Sequence, residues 1–228
     1  LALDVLVDHA RAERARTMRD AFMSGTAAET KRLGSRLLRG AAMFVGPNVL
    51  RVGKESVAAK RVVLATGSKP VVPVDMLECG ARVVTSETLF DLRDLPRRVG
   101  VVGLGPIGLE LGQALSRLGC DVVAFDKSGR VGRLTDPALA VHAAGLFKRE
   151  FEVRSDAEVR LKLVAKAVRV DGGGRSLLRD LVLASLGRRA NLESLGLEAI
   201  GVPLGKKGLP EFDPKTMKVR GHPIYLAG

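Results

Sequence analysis

Cysteine is scarce in this chain, and the two that occur, Cys79 and Cys120, fit neither a C-x-x-C motif nor any metal-ligand spacing. A disulfide framework and a cysteine-bound metal are therefore not expected. With no evident signal peptide, the unpaired thiols point to a reducing compartment, the cytoplasm. Aromatic residues make up only 4% of the sequence. The 37 Lys and Arg residues against 25 Asp and Glu give a formal net charge of +12, yet the basic residues are spread among acids and no nucleic-acid motif is present. That charge reads as a solvated surface attractive to anionic ligands; a nucleic-acid partner would instead require steeply salt-dependent retention of DNA. Long hydrophobic runs are also missing. The most apolar stretch, residues 99–109, is rich in glycine and ends at Glu110, so no membrane span is expected. Internal repeats and low-complexity tracts are absent from the sequence.

What is present is 46% hydrophobic residues over 228 positions, enough for one large core or two small ones. The organising stretch is residues 97–126, RRVGVVGLGPIGLELGQALSRLGCDVVAFD. Val99, Val101 and Val102 make a short buried strand, and Gly103, Gly105 and Gly108 form G-x-G-x-x-G. In such a fingerprint the first glycine permits a tight turn, the second lets backbone approach a pyrophosphate, and the third lets helix and strand pack closely. Pro106 starts a helix at the position where its missing N–H is harmless, and Ile107, Leu111, Ala114, Leu115 and Leu118 recur at helical spacing before Gly119. Val122, Val123 and Phe125 form the second strand. Asp126 then stands where an acid hydrogen-bonds a ribose 2′-hydroxyl. The whole reads as a dinucleotide site with phosphates at the helix start.

Around this unit the pattern predicts a helix over residues 4–24, strands at 40–45 and 49–52 joined by Gly46-Pro47-Asn48, and a strand at 61–65. The proline-bounded 69–73, KPVVP, reads as an extended linker and a boundary. A short helix is expected at 86–92, and a longer one at 137–151 capped by Thr135 or Asp136. Strand-like runs at 157–163 and 165–170, followed by Asp171 and three glycines, suggest an antiparallel meander beside the parallel strands. Residues 181–184 read as a buried strand and Ile224–Leu226 as a last one.

Four motifs stand in one order: ATGS at 65–68, GLGPIGLELG at 103–112, GRRAN at 187–191 and IYLAG at 224–228. In that arrangement the chain resembles the flavin-dependent pyridine nucleotide-disulfide oxidoreductase family, and the dihydrolipoamide dehydrogenase branch in particular. The resemblance implies an α/β, Rossmann-like FAD/NAD(P)-binding fold with an antiparallel β-meander, inserted into an incomplete second domain. It implies that residues 1–74 are the later part of an FAD-binding domain, 75–186 an NAD(P)-binding domain, and 187–228 the return to the FAD-binding domain. Thr66 and Gly67 match a loop near the flavin; Gly228 matches the glycine of a glycine-aspartate pair whose aspartate is absent here. Glu110 and Gly187 match positions near the nicotinamide.

The departures matter as much. The first glycine-rich flavin motif is not in this sequence, nor is the C-x-x-x-x-C redox pair, nor the C-terminal His/Glu pair; His9, His142 and His222 occupy no such motif. Ala190 replaces a proline usual in the GRxPN-like segment. No catalytic residue and no metal ligand is therefore assigned, and the sequence reads as the central portion of a larger, homodimeric enzyme. The activity implied for the complete protein is hydride exchange between NAD(H) and FAD coupled to a dithiol or disulfide such as dihydrolipoamide. The alternative is a standalone nicotinamide-binding module without catalysis of its own, which bound flavin would distinguish. The choice of cofactor stays open at this level. Asp126 favours NAD, whereas Lys127, which adjoins the site, with Arg130 and Arg133, could neutralise the 2′-phosphate of NADP.

Overall fold

A computed structural model of the chain describes residues 2–128, 131–155 and 158–228. It divides into two compact units, Leu1–Met23 with Pro70–Gly187, and Ser24–Lys69 with Arg188–Gly228. The fold is mixed α/β with a parallel sheet and antiparallel strands, the class the sequence led us to expect.

In the first unit five strands lie in the order Val83–Val84, Leu181–Ala184, Arg98–Val102, Asp121–Asp126 and Glu152–Ser155. Every adjacent pair is parallel. Because side chains alternate along a strand, the apolar runs sort onto two faces. Val99, Val101, Val122, Ala124, Leu181 and Leu183 share one cluster with Leu109 and Leu115 of the helix Pro106–Arg117. Val102, Val123, Phe125 and Val182 share the other with Val168 and Val170. These last two belong to a separate antiparallel sheet, Val159–Val164, Ala167–Gly172 and Arg175–Arg179, the expected meander, which covers one face of the parallel sheet. Gly100 marks how closely the layers meet: a Cβ there would stand 3.4 Å from Val182 and 3.6 Å from Val170. The two cysteines fall on opposite faces, Cys79 in the meander-side cluster and Cys120 in the helix-side one. Burial pushes the Cys79 thiol pKa up, away from thiolate character.

The second unit holds the antiparallel strands Ala42–Gly46, Val49–Val52 and Glu55–Ala58. Val62–Leu64 pairs in parallel with Ile224–Leu226. Phe44, Leu64, Leu195, Leu197, Val219 and Ile224 supply the centre of its core.

Several elements differ from their sequence patterns. The first helix runs Ala2–Lys31, through Gly25, instead of ending at 24. Residues 86–92 hold only the 3-10 turn Leu89–Asp91, because Thr85 and Thr88 bond the local backbone and compete with helix. The helix starting at Pro137 is capped by the Asp136 side chain, which accepts from Leu139, and ends at Phe147. Beyond it Glu150 pairs with Arg117 at 2.6 Å and Phe151 turns into the core. Ala157 lies outside the described residues, and the first meander strand begins at Val159. Among the described residues no helix is long and apolar enough to cross a membrane.

The edge of the parallel sheet is clamped at Asp180. Its carboxylate accepts from the Arg98 backbone N–H at 2.9 Å and from Arg98 Nη2 at 2.6 Å, which joins the start of two neighbouring strands. The Arg98 hydrogen bond holds the Asp180 carboxyl below its ordinary pKa, with burial opposing. A depressed folded pKa adds stability that is present above the unfolded value and lost as pH falls through the folded one. Asp180→Asn should therefore lower stability at pH 7 by about 1 kcal/mol, a modest figure because both partners reach solvent. In denaturant titrations at stepped pH, the difference from wild type should shrink below about pH 4.

Candidate functional site

The glycine turn sits at the C-terminal end of the parallel strands, the usual ligand edge of such sheets. Gly103 has φ 101°, and its N–H donates to the Phe125 carbonyl at 2.8 Å. A Cβ on Gly103 would fall 2.3 Å from the Ser185 carbonyl oxygen, and one on Gly108 would fall 2.0 Å from the Gly103 carbonyl oxygen. Both neighbours are backbone, so these two glycines are required by packing alone. Gly105 is different. It is the N-cap of Pro106–Arg117 in extended conformation, with no side-chain cap, and a Cβ there would meet only Arg133 Nε at 3.7 Å. The first-turn N–H groups thus have no capping side chain.

Asp126 closes the turn from the neighbouring strand. Its Oδ2 accepts from the Leu104 N–H at 2.8 Å, and its Oδ1 accepts from the Ser128 N–H at 2.7 Å and from the Ser128 hydroxyl. A carboxylate offers about four lone-pair directions, so one remains for a ligand. Gly103, Gly105, Asp126, Lys127, Arg133 and Ser185 all line one cavity of about 470 Å³. Asp75 and Glu158 line it as well, so among the described residues three carboxylates and two cations line it.

Of the other sequence-derived residues in this unit, Pro106 occupies the first helical position, Ile107 is half-buried and Gly108 is buried. Glu110 is exposed on the same helix, and its side chain makes neither a hydrogen bond nor an ion pair among the described residues. Gly187 has φ 108° and its carbonyl accepts from the Val71 N–H at 3.0 Å; the nearest group to a Cβ there would be Arg133 Nη2, at 3.8 Å. Arg130 lies outside the described residues. In the second unit Thr66, Gly67 and Gly228 line one cavity of about 340 Å³ together with Leu64, Ala190 and Leu226. The Asn191 side chain donates to the Thr66 carbonyl at 3.1 Å, and its N–H donates to that of Gly67 at 3.0 Å, so the GRRAN segment holds the ATGS loop. Bare positions at Gly67 and Gly228, with nothing within 4 Å of either Cβ point, leave room for a bulky group there.

Sequence reasoning missed Ser185, Ser128, Asp75 and Glu158. Ser128 had a usable signal, a hydroxyl two residues after an acid at a strand end. Ser185 had none, because only the strand order places residues 181–184 beside the glycine turn. Among the described residues there is no cluster of His, Cys, Asp and Glu that could hold a metal ion.

Known proteins resemble the chain in sequence and in fold. Mercuric reductase from Staphylococcus aureus is 30% identical over 86% of this chain and 37% of its own length. Mercuric reductase from Lysinibacillus sphaericus is 34% identical over 75% of this chain and 32% of its own. Dihydrolipoyl dehydrogenase from Bacillus subtilis (strain 168) is 28% identical over 84% and 43%. The chain thus spans less than half the length of these relatives. In fold it is similar to the HOCl-induced flavoprotein disulfide reductase RclA from Escherichia coli, with a TM-score of 0.74 at 24% identity over 83% of this chain and 44% of that one. The family described as Pyridine nucleotide-disulphide oxidoreductase matches residues 7–228, nearly the whole sequence, and the chain belongs to that family.

Proposed function

We propose that residues 75–186 bind the nicotinamide dinucleotide of a FAD-dependent oxidoreductase, and that residues 1–74 and 187–228 belong to its flavin-binding domain. The complete protein, a cytoplasmic homodimer on this reading, exchanges hydride between NAD(H) and FAD, with a dithiol or disulfide such as dihydrolipoamide as the further redox partner. One observation carries the reading: a bare Gly105, an uncapped helix start and a carboxylate with spare acceptor capacity line the same cavity. That combination suits a ligand with a pyrophosphate next to a ribose. The electron chemistry is supplied by the cofactors, and the protein binds and orients them.

Each residue then has a task. Gly103 and Gly108 shape the turn, while Gly105 leaves space for phosphate oxygens. The N–H groups after Pro106, on Ile107 and Gly108, face those oxygens with the positive end of the helix dipole. Asp126 accepts from the ribose, with Lys127 beside it. Glu110 and Gly187 serve the nicotinamide end, and Thr66, Gly67 and Gly228 serve the flavin. NAD is favoured over NADP, since a 2′-phosphate would add negative charge to a cavity already lined by Asp75, Asp126 and Glu158. Relatives named for both dihydrolipoyl dehydrogenase and mercuric reductase share this portion of the chain, so the portion suits the nicotinamide step whichever acceptor follows.

Two experiments test this. Gly103→Ala and Gly108→Ala should each destabilise the chain by about 2 kcal/mol or more, by clash with backbone. Gly105→Ala should leave stability within about 1 kcal/mol while weakening NADH binding, read by NADH fluorescence titration, about tenfold. Equal NADH affinity in Gly105→Ala and wild type would remove the pyrophosphate from this cavity. For the ribose, Asp126→Ala disturbs the Leu104 bond whichever cofactor is added, so the informative quantity is the ratio of NADH to NADPH affinity. We expect that ratio to fall by about tenfold or more towards NADPH, and an unchanged ratio would sink the ribose role.

A further inference from the structure

Arg133 stands out among the cavity's residues. It has φ 60°, a left-handed conformation rare for a side chain of its size, and it follows Gly132 at φ 69°. The loop that carries it is fixed to the glycine turn: Val131 is buried, and the Gly132 N–H donates to the Leu104 carbonyl at 2.8 Å. The guanidinium lies across two glycines. Its Nε is 3.7 Å from the Cβ point of Gly105 and its Nη2 is 3.8 Å from that of Gly187, and no other group beyond the glycines' own neighbours comes within 4 Å of either point. Among the described residues Arg133 has neither a hydrogen bond nor an ion pair, although Asp75, Asp126 and Glu158 line the same cavity.

An arginine held in a costly backbone conformation, aimed into a cavity rich in carboxylates and yet paired with none of them, has its donors reserved for something else. Its place in front of Gly105, at the uncapped helix start, identifies that partner. Phosphate oxygens approaching the bare Gly105 backbone would meet the first-turn N–H groups and the Arg133 fork together, a planar donor set matched to phosphate. The 2′-phosphate of NADP would instead be expected beside the ribose-reading carboxylate of Asp126, and Arg133 forms no ion pair with that group.

We propose that Arg133 is the charge partner of the ligand's pyrophosphate, and not a reader of the 2′-phosphate, an assignment that rests on the dinucleotide reading above. It therefore contributes equally to NADH and NADPH and leaves the choice between them to Asp126.

The test is titration of the 228-residue chain with NADH, NADPH and ADP-ribose, which keeps the pyrophosphate and lacks the nicotinamide. Arg133→Gln should weaken all three by a common factor of about ten, leaving the NADH to NADPH ratio unchanged, while Arg133→Lys should recover part of the loss. Arg133→Gly relieves the left-handed strain, so it should lose affinity to the same extent as Arg133→Gln with a thermal midpoint no lower than wild type. A loss confined to NADPH would assign Arg133 to the 2′-phosphate and overturn the proposal. Unchanged ADP-ribose affinity in Arg133→Gln, with wild type binding normally, would overturn it alone. A wild-type chain that binds none of the three would overturn the dinucleotide reading, and this proposal with it.

Discussion

The bond from the Leu104 N–H to Asp126 Oδ2, 2.8 Å long and bridging 22 residues of sequence, is the constraint on which the cavity depends. It lies between two others. The Gly103 N–H donates to Phe125, and the Leu104 carbonyl accepts from Gly132, both at 2.8 Å. The middle residue of the G-x-G turn thus has both its backbone groups satisfied by separate segments, with its side chain fully buried beneath. The turn is therefore not free to drift, and the helix start it delivers keeps one orientation. Asp126 acquires two duties from this arrangement. It builds the turn, and on the proposed reading its remaining acceptor capacity serves the ribose, which would join a structural and a ligand role in one carboxylate.

The same constraint separates the three fingerprint glycines by physical cause. Gly103 and Gly108 are excluded from carrying side chains by carbonyl oxygens of the protein itself, at 2.3 and 2.0 Å from their Cβ points. Gly105 meets no backbone, only the Arg133 side chain at 3.7 Å. A motif usually treated as one unit is thus two packing requirements around one position that packing leaves free, the position the proposed reading gives to the ligand. Leu104 belongs with the packing pair, since its buried side chain anchors the helix-side cluster shared with Val99 and Leu109.

How much of this was legible in the sequence follows from how local each feature is. The strand, turn, helix and second strand across residues 97–126 could be read because their signals lie within one stretch, period two giving way to period 3.6 and back. The meander could be read from its glycine turn. The strand Glu152–Ser155 could not, because among the described residues it pairs with Asp121–Asp126, some thirty residues earlier. Nor could the parallel pairing of Val62–Leu64 with Ile224–Leu226, which brings Gly228 to the cavity lined by Thr66 and Gly67. The first helix runs on past residue 24 through Gly25, whose cost of about 1 kcal/mol in a helix a thirty-residue helix absorbs. Arg133 was visible as a basic residue, but its direction is set by its left-handed backbone and by the bond of the neighbouring Gly132 to Leu104, neither of which a sequence pattern encodes.

The charge distribution then takes on a definite meaning. A net charge of +12 spread over the surface acts at long range and in a salt-dependent way, drawing in polyanions without distinguishing among them. Around the cavity the balance reverses, with three carboxylates against two cations among the described residues that line it. On the proposed reading, an anion drawn in by the surface stays when its charge falls at the helix start and is disfavoured when it carries charge against Asp126, so global charge bears on how often such ligands arrive and the placement of a few carboxylates on which of them stays.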